Sequence, residues 1–307
     1  MKRTNFILLI SLVLLLACSK EETPDLSDQY ISIPGQRFEH ELLDLGIDSE
    51  KVLDGRILRS DALKVKSLTL DGKDNPGRLR IYQDIRGIEY FINLETFIAY
   101  NTRQESLNVN SLTKLKHLEL IEGHFTSVSF DQCTELEYLK FNNDQNRIEN
   151  VDVSGNLKLK YISLETMTLK NEMLDLTMLD KLEYLLCGAI RLTEIKTPND
   201  GLPKLEEIRI FAVPGIQSID LTNSPLLTDA HIQSELSSLD LSQNLLLEDL
   251  NLYNVKLTAL DVSNNPLLKS IVFRQTGNNL SCIKKANNQS INYVSLPDGV
   301  ELKEDCN

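Results

Sequence analysis

The sequence predicts a curved solenoid of about nine stacked coils, and two observations carry that prediction. Leucine recurs at 94, 115, 136, 159, 182, 205, 227, 247 and 268, in steps of 20 to 23 residues. Three residues after each stands Phe97, Leu118, Leu139, Ile162, Leu185, Ile208, Ala230, Leu250 or Ile271. Two further on stands Ala99, Leu120, Phe141, Leu164, Cys187, Ile210, Ile232, Leu252 or Phe273. All 27 positions are non-polar in a chain that is 41% hydrophobic, so composition alone does not produce the register. The second observation is an offset series: Leu107-Asn108-Val109, Val128-Ser129-Phe130, Val151-Asp152-Val153, Leu174-Asp175-Leu176, Ile219-Asp220-Leu221, Leu239-Asp240-Leu241 and Leu260-Asp261-Val262. Alternation with period two belongs to an extended chain with one buried face. Each coil therefore supplies two short extended segments whose apolar side chains meet between them. A spacing of two inside the units excludes a string of amphipathic helices, which need three or four.

At the N-terminus, Lys2 and Arg3 precede an apolar run from Phe6 to Leu16 broken only by Ser11. Eleven residues fall well short of the roughly 20 that span a bilayer, and the pattern is that of a secretory signal rather than a buried helix. Leu15-Leu16-Ala17-Cys18 resembles a bacterial lipobox, which implies acylation of Cys18 and a signal peptide over residues 1–17. Cleavage there removes Lys2 and Arg3 and takes the formal charge from −13 to −15. A polar tether follows over residues 18–36. Its run Ser19-Lys20-Glu21-Glu22 resembles the surface-export signal of Bacteroidetes lipoproteins, implying the outer face of an outer membrane over the periplasmic side.

Residues 37–93 read as an N-terminal cap and entry coil. Phe38, Leu42, Leu43 and Leu45, with Gly46 as a stop, predict a short amphipathic helix. The repeats occupy residues 94–280. They resemble bacterial leucine-rich repeats of the surface-lipoprotein type, most plainly in Leu260-Asp261-Val262-Ser263-Asn264-Asn265-Pro266 and its continuation to Phe273. The resemblance covers most of the chain, extends to the helical cap and to Ile85–Leu94, and implies a concave strand face used to bind protein. Between Ile190 and Leu205 the pattern lapses, and Pro198-Asn199-Asp200-Gly201 marks an inserted turn at which a local bulge is expected. Residues 281–307 read as a C-terminal cap bracketed by Cys282 and Cys306. In an oxidising compartment these read as one disulfide, covering the apolar end that a solenoid must shield. Cys187 takes an inward position as a small hydrophobe, and Cys133 falls in a turn.

The acidic balance argues against a nucleic-acid binder, which needs a basic face. The chain has none of the G-x-S-x-G, H-E-x-x-H, Gly-rich phosphate-loop or C-x-x-C patterns that announce catalysis, metal or cofactor. His117 with Glu119 could serve a metal, but the next coil offers Tyr138 and Lys140 there. Asp229, His231 and Asp249 read either as a solvated polar patch or as a metal or hydrolytic cluster. Asp152, Asp220, Asp240 and Asp261 read as turn caps before calcium ligands.

Alternation assigns Thr96, His117, Tyr138, Tyr161, Tyr184, Glu207, Asp229, Asp249 and Ser270 to one outward column of the strand face. Coils stack about 4.8 Å apart, so Tyr138, Tyr161 and Tyr184 form a ladder roughly 10 Å long. Leu186, Arg209 and Phe211 lie close by, and Asp229, His231 and Tyr253 follow along the face. Grouped aromatics with Arg make binding hot spots, and tyrosine ladders also suit stacking on sugar rings. A plain alternative is that these tyrosines only pack along the sheet. The expected function is non-catalytic recognition or adhesion, with a protein ligand on the strand face. Glycan binding is the alternative, and hydrolysis a remote third. A membrane is engaged through the lipid anchor alone, and no cofactor is expected.

Overall fold

The computed structural model describes residues 29–306 apart from 72, 76–77, 80, 143–147 and 275–279, and for residues 73–75 and 78–79 the backbone alone. The signal-like run, Cys18 and residues 19–28 lie outside the described residues. An eleven-stranded parallel sheet runs the length of the molecule in chain order. Its members are Ser67–Leu70, Thr96–Tyr100, His117–Ile121, Tyr138–Asn142, Tyr161–Glu165, Tyr184–Gly188, Glu207–Phe211, Asp229–Gln233, Asp249–Tyr253, Ser270–Arg274 and Tyr293–Ser295. The nine five-residue strands are those the leucine register predicts, and the first and last members come from the flanking regions. Leu139 sits opposite Leu118 and Ile162, and the same in-register pairing holds along the array. Each of the 27 predicted core positions is at most 2% exposed. At about 1.5–3 kcal/mol per fully buried large apolar side chain, this column is the main stabilising term of the fold.

The offset series packs its inward residues as expected but forms ladders only in places. Ser106–Asn108 pairs with Ser127–Ser129, Met173–Asp175 with Glu194–Lys196, and Leu260–Asp261 with Cys282–Lys284 and then Glu301–Lys303. Val153, Leu221 and Leu241 are buried without a ladder partner among the described residues.

The inserted turn shows the same division. Tyr184–Gly188 and Glu207–Phe211 pair over all five residues, so the strand face continues without interruption. The extra residues are taken up behind it, where Gly201, at φ 71°, donates its N–H to Pro198 O at 2.8 Å. A Cβ at Gly201 would stand 2.2 Å from Asn223 Cβ of the next coil, so the turn requires glycine by both conformation and space.

Inside the turns that lead into four of the strands, the position three residues before the repeat leucine ties one coil to the last. Asn156 Nδ2 donates to Phe130 O and Cys133 O, Asn244 Nδ2 to Leu221 O and Ser224 O, and Asn265 Nδ2 to Leu241 O and Asn244 O, all at 2.8–3.1 Å. Gln289 Nε2 continues the series at the last coil, donating to Val262 O and Asn265 O. Cys133 occupies this position in its own coil, and its thiol lies 3.2 Å from Val109 O. The turn cysteine is therefore a buried member of the inter-coil ladder. Burial pushes its thiol up to about 12, as it does for Cys187, so both are inert as nucleophiles.

The N-terminal cap is the helix Gln36–Asp44, which ends before Gly46 at φ 68°. Phe38 and Leu42 are buried as predicted, Leu43 is half-buried, and Leu45 is 49% exposed because the helix has already ended there. Two glutamates share the buried face. Glu39 Oε1 accepts Asp54 N–H and Gly55 N–H at 2.8 and 2.6 Å, and Glu41 Oε2 accepts the Tyr82 hydroxyl at 2.9 Å. At the other end Cys282 and Cys306 form the expected disulfide. The cap buries Ile283 and Val300, but Val294, in register with core residue Ile271, stays 43% exposed at the end of the sheet.

Candidate functional site

The outward column on the strand face is brought together as the alternation predicts. Tyr138 and Tyr161 ring centroids lie 4.1 Å apart with planes 6° from parallel, and Tyr161 and Tyr184 lie 4.3 Å apart at 2°. The ladder has a fourth rung, His117, which the alternation places in this column but which the tyrosine ladder read from sequence leaves out. His117 stacks on Tyr138 at 4.0 Å and 4°, while its Nε2 lies 2.6 Å from Glu119 Oε1. The signal was present in the column itself, where His117 precedes Tyr138 by one coil. The four rings make a strip about 12 Å long.

Ring orientation decides what this strip can offer. The planes stand across the solenoid axis, so each interior ring spends both faces on its neighbours. Along the interior of the strip a ligand meets ring edges and hydroxyls, while the end rungs His117 and Tyr184 each stack on one neighbour only. Aromatic edges are the positive part of the ring quadrupole. Burial and the adjoining Tyr161 hold the Tyr138 and Tyr184 hydroxyls well above the ordinary phenol value. Both stay protonated, and each is hydrogen-bonded to the Tyr161 hydroxyl.

Beyond Tyr184 the column becomes acidic. Glu207, Asp229 and Asp249 succeed one another in register on adjacent strands. Glu207 is engaged by Arg209 Nε. The Asp229 carboxyl is pushed above its ordinary value by burial, and further by Asp249 and Glu207, with His231 opposing. His231 Nε2 accepts the Asn251 Nδ2 amide at 2.8 Å and lies 3.8 Å from Asp229 Oδ1. Leu186 stands in register with Arg209, next to the ladder's last rung. Phe211 is 38% exposed, and its ring covers Gly188, where a Cβ would come within 2.0 Å of the Phe211 ring. Glycine at 188 thus makes room for an aromatic surface on the face. Tyr253 stands in the same outward column as Phe211, two coils on, and three coils and four residues, roughly 20 Å, from Tyr184.

The aspartate column is a set of turn caps. Asp152, Asp175, Asp220, Asp240 and Asp261 each accept, through Oδ1, the N–H two residues on, at 2.9–3.0 Å. Asp261 also takes Lys284 Nζ at 2.9 Å. Among the described residues no group of three or more His, Cys, Asp or Glu is arranged to hold a metal ion.

No protein-family model and no curated protein matches the chain. Among solved structures it is similar to a leucine-rich-repeat protein of Leptospira interrogans, at 19% identity and a TM-score of 0.53 over 70% of this chain; the match spans 61% of that protein's length. It is also similar to internalin C2 of Listeria monocytogenes, at 17% identity and a TM-score of 0.50, covering 75% of this chain and 97% of that one. The shared feature is the fold: this chain is a leucine-rich-repeat solenoid.

Proposed function

We propose that this chain is a non-catalytic recognition protein, carried as a Cys18-acylated lipoprotein on the outward face of an outer membrane, that binds a protein ligand along its strand face. The observation that carries the reading is the ladder from His117 to Tyr184 adjoining Leu186, Arg209 and Phe211. Repeat solenoids present extended concave surfaces of this kind, and exposed aromatics beside an arginine are the usual anchors of protein contacts. Sugar stacking, the alternative, would need open ring faces, and the interior rungs have none to give. What the rungs supply instead is a row of ring edges, the positive part of the quadrupole, suited to the carbonyl and carboxylate oxygens of a polypeptide.

Two experiments test the two halves. In cells with an outer membrane, an alkyne-palmitate label is expected on the wild type and absent from Cys18→Ser, with protease applied to intact cells removing the repeats. An unlabelled wild type would remove the anchor from the account, and a labelled but protease-resistant one would turn the protein toward the periplasm. Immobilised residues 19–307 are expected to retain a ligand from surface extracts that prior protease treatment destroys. Retention abolished by periodate and indifferent to protease would make the ligand a glycan.

A further inference from the structure

A second surface lies on the opposite side of the solenoid, near its N-terminal end. A groove of about 910 Å³ separates the segment 83–92 from the segment 103–111. Such a volume is at the upper end of what a bound ligand fills. Two hydrogen bonds join its walls. Ile85 N–H donates to Gln104 Oε1 at 2.8 Å, and Ser111 Oγ donates to Glu89 O at 2.5 Å. Between these ties runs the strand Ser106–Asn108, whose ladder has a partner on one side only. Glu105 O and Val109 N bond to the following coil. Alternation along a parallel strand therefore turns the N–H and C=O of Ser106 and Asn108 toward the groove. Ser106 O is taken by Gln104 Nε2, and among the described residues the Ser106 N–H and the N–H and C=O of Asn108 have no hydrogen-bond partner. Across from this edge stand Tyr90 and Ile92, both exposed, and at the mouth Arg103, whose guanidinium makes no ion pair among the described residues.

Among the described residues no strand pairs with Ser106–Asn108 on the groove side. Later coils show what sits in such a place: Met173–Asp175 and Leu260–Asp261 are extended segments that end apolar–acidic, each paired in parallel with the next coil. We propose that the groove binds an extended segment of a partner protein by parallel strand addition to Ser106–Asn108. An apolar side chain of the segment meets Tyr90 and Ile92, and a carboxylate reaches Arg103. Main-chain bonds supply the attachment and the side-chain contacts the selectivity, as in other edge-strand recognition. The surface is separate from the strand face, so this inference stands whether or not the ladder binds a ligand.

The probe is the capped synthetic hexapeptide of residues 172–177, which reproduces one of the chain's own strands for this layer. Added at millimolar concentration to the full chain, it is expected to shift the amide resonances of Ser106 and Asn108 and slow their hydrogen exchange several-fold. Ser106→Pro deletes one groove-facing N–H without touching the bonds to the following coil, and should abolish both effects. Ile92→Asp should weaken binding at least several-fold. Unchanged exchange in the rest of the sheet shows that each variant is folded. No response at Ser106 and Asn108 in the wild type, or an equal response in folded Ser106→Pro, would overturn the proposal. So would a wild-type dimer that Ser106→Pro makes monomeric, since a second copy would then own the edge.

Discussion

His117 lies on Tyr138 as the end rung of the strand-face ladder, imidazole and phenol centroids 4.0 Å apart and planes 4° from parallel. Tyr138 is therefore an interior ring with two stacked neighbours, as Tyr161 is, while Tyr184 has one. Each stacked pair contributes about 0.5–1.5 kcal/mol beyond area burial. Urea unfolding of Tyr138→Leu and Tyr161→Leu should give losses equal within error, each about 0.5–1.5 kcal/mol greater than the loss in Tyr184→Leu. A Tyr138→Leu loss matching that of Tyr184→Leu would mean that the histidine adds nothing to the stack.

The position shared by Cys133, Asn156, Asn244 and Asn265 makes a graded prediction. Asn244→Ala removes two buried bonds to the preceding coil and leaves Leu221 O and Ser224 O without them, at about 2–3 kcal/mol. Cys133→Ala removes one weak thiol contact and a small buried volume, about 1 kcal/mol. Chemical denaturation of the two variants should place the asparagine loss at twice the cysteine loss or more.

How far these features could be read beforehand depended on the kind of information each needed. The leucine register fixes which side chains are buried, because period and spacing are one-dimensional, and the core positions from Leu94 to Phe273 follow from it. Columns across the strand face follow as well, since parallel in-register pairing turns a sequence offset into a neighbour. Ring orientation does not, and the tyrosines that suggested stacking on sugars turned their edges outward. Cys133 shows a different gap. Its offset of three before Leu136 matches that of Asn156 before Leu159, but a thiol does not announce a place in a ladder of amides. The end of the sheet was hardest. The disulfide was legible from two cysteines near the terminus, whereas the exposure of Val294 depends on how the last coil is laid against Ile271.

The Cys282–Cys306 bond closes a loop with a sequence separation of 24. Restricting the unfolded chain over such a loop is worth about 3 kcal/mol. Because the bond secures the last coil, its loss should show locally first. Hydrogen exchange of Cys306→Ser is expected to speed up at Glu301–Lys303 and Tyr293–Ser295 while Tyr161–Glu165 keeps its protection. Uniform acceleration along the whole array would show instead that the cap and the repeats unfold as one unit.

Asp229 sets a pH dependence. Its carboxyl is raised in the folded chain by burial and by Asp249 and Glu207, so between the unfolded and folded values the native state binds more protons than the unfolded one. Stability from this group is present below the unfolded value and is lost as pH rises through the folded one. Asp229→Asn should therefore raise Tm at pH 7, and the gain should disappear by about pH 3, below the ordinary aspartate range. The side chain is 34% exposed and solvent screens the pair, so the rise is on the order of 1 °C. A variant that melts lower than the wild type at pH 7 would contradict this reading of the acidic column.

The central claim is that the strand face binds a protein. It is tested most directly by measuring retention of the surface-extract ligand on wild-type protein and on the Tyr138→Ala, Tyr161→Ala, Tyr184→Ala triple variant, with circular dichroism establishing that both are folded. Three lost aromatic contacts at about 1 kcal/mol or more each predict a fall in affinity of a hundredfold or more. Equal retention by the folded triple variant would contradict the account and move recognition away from the ladder.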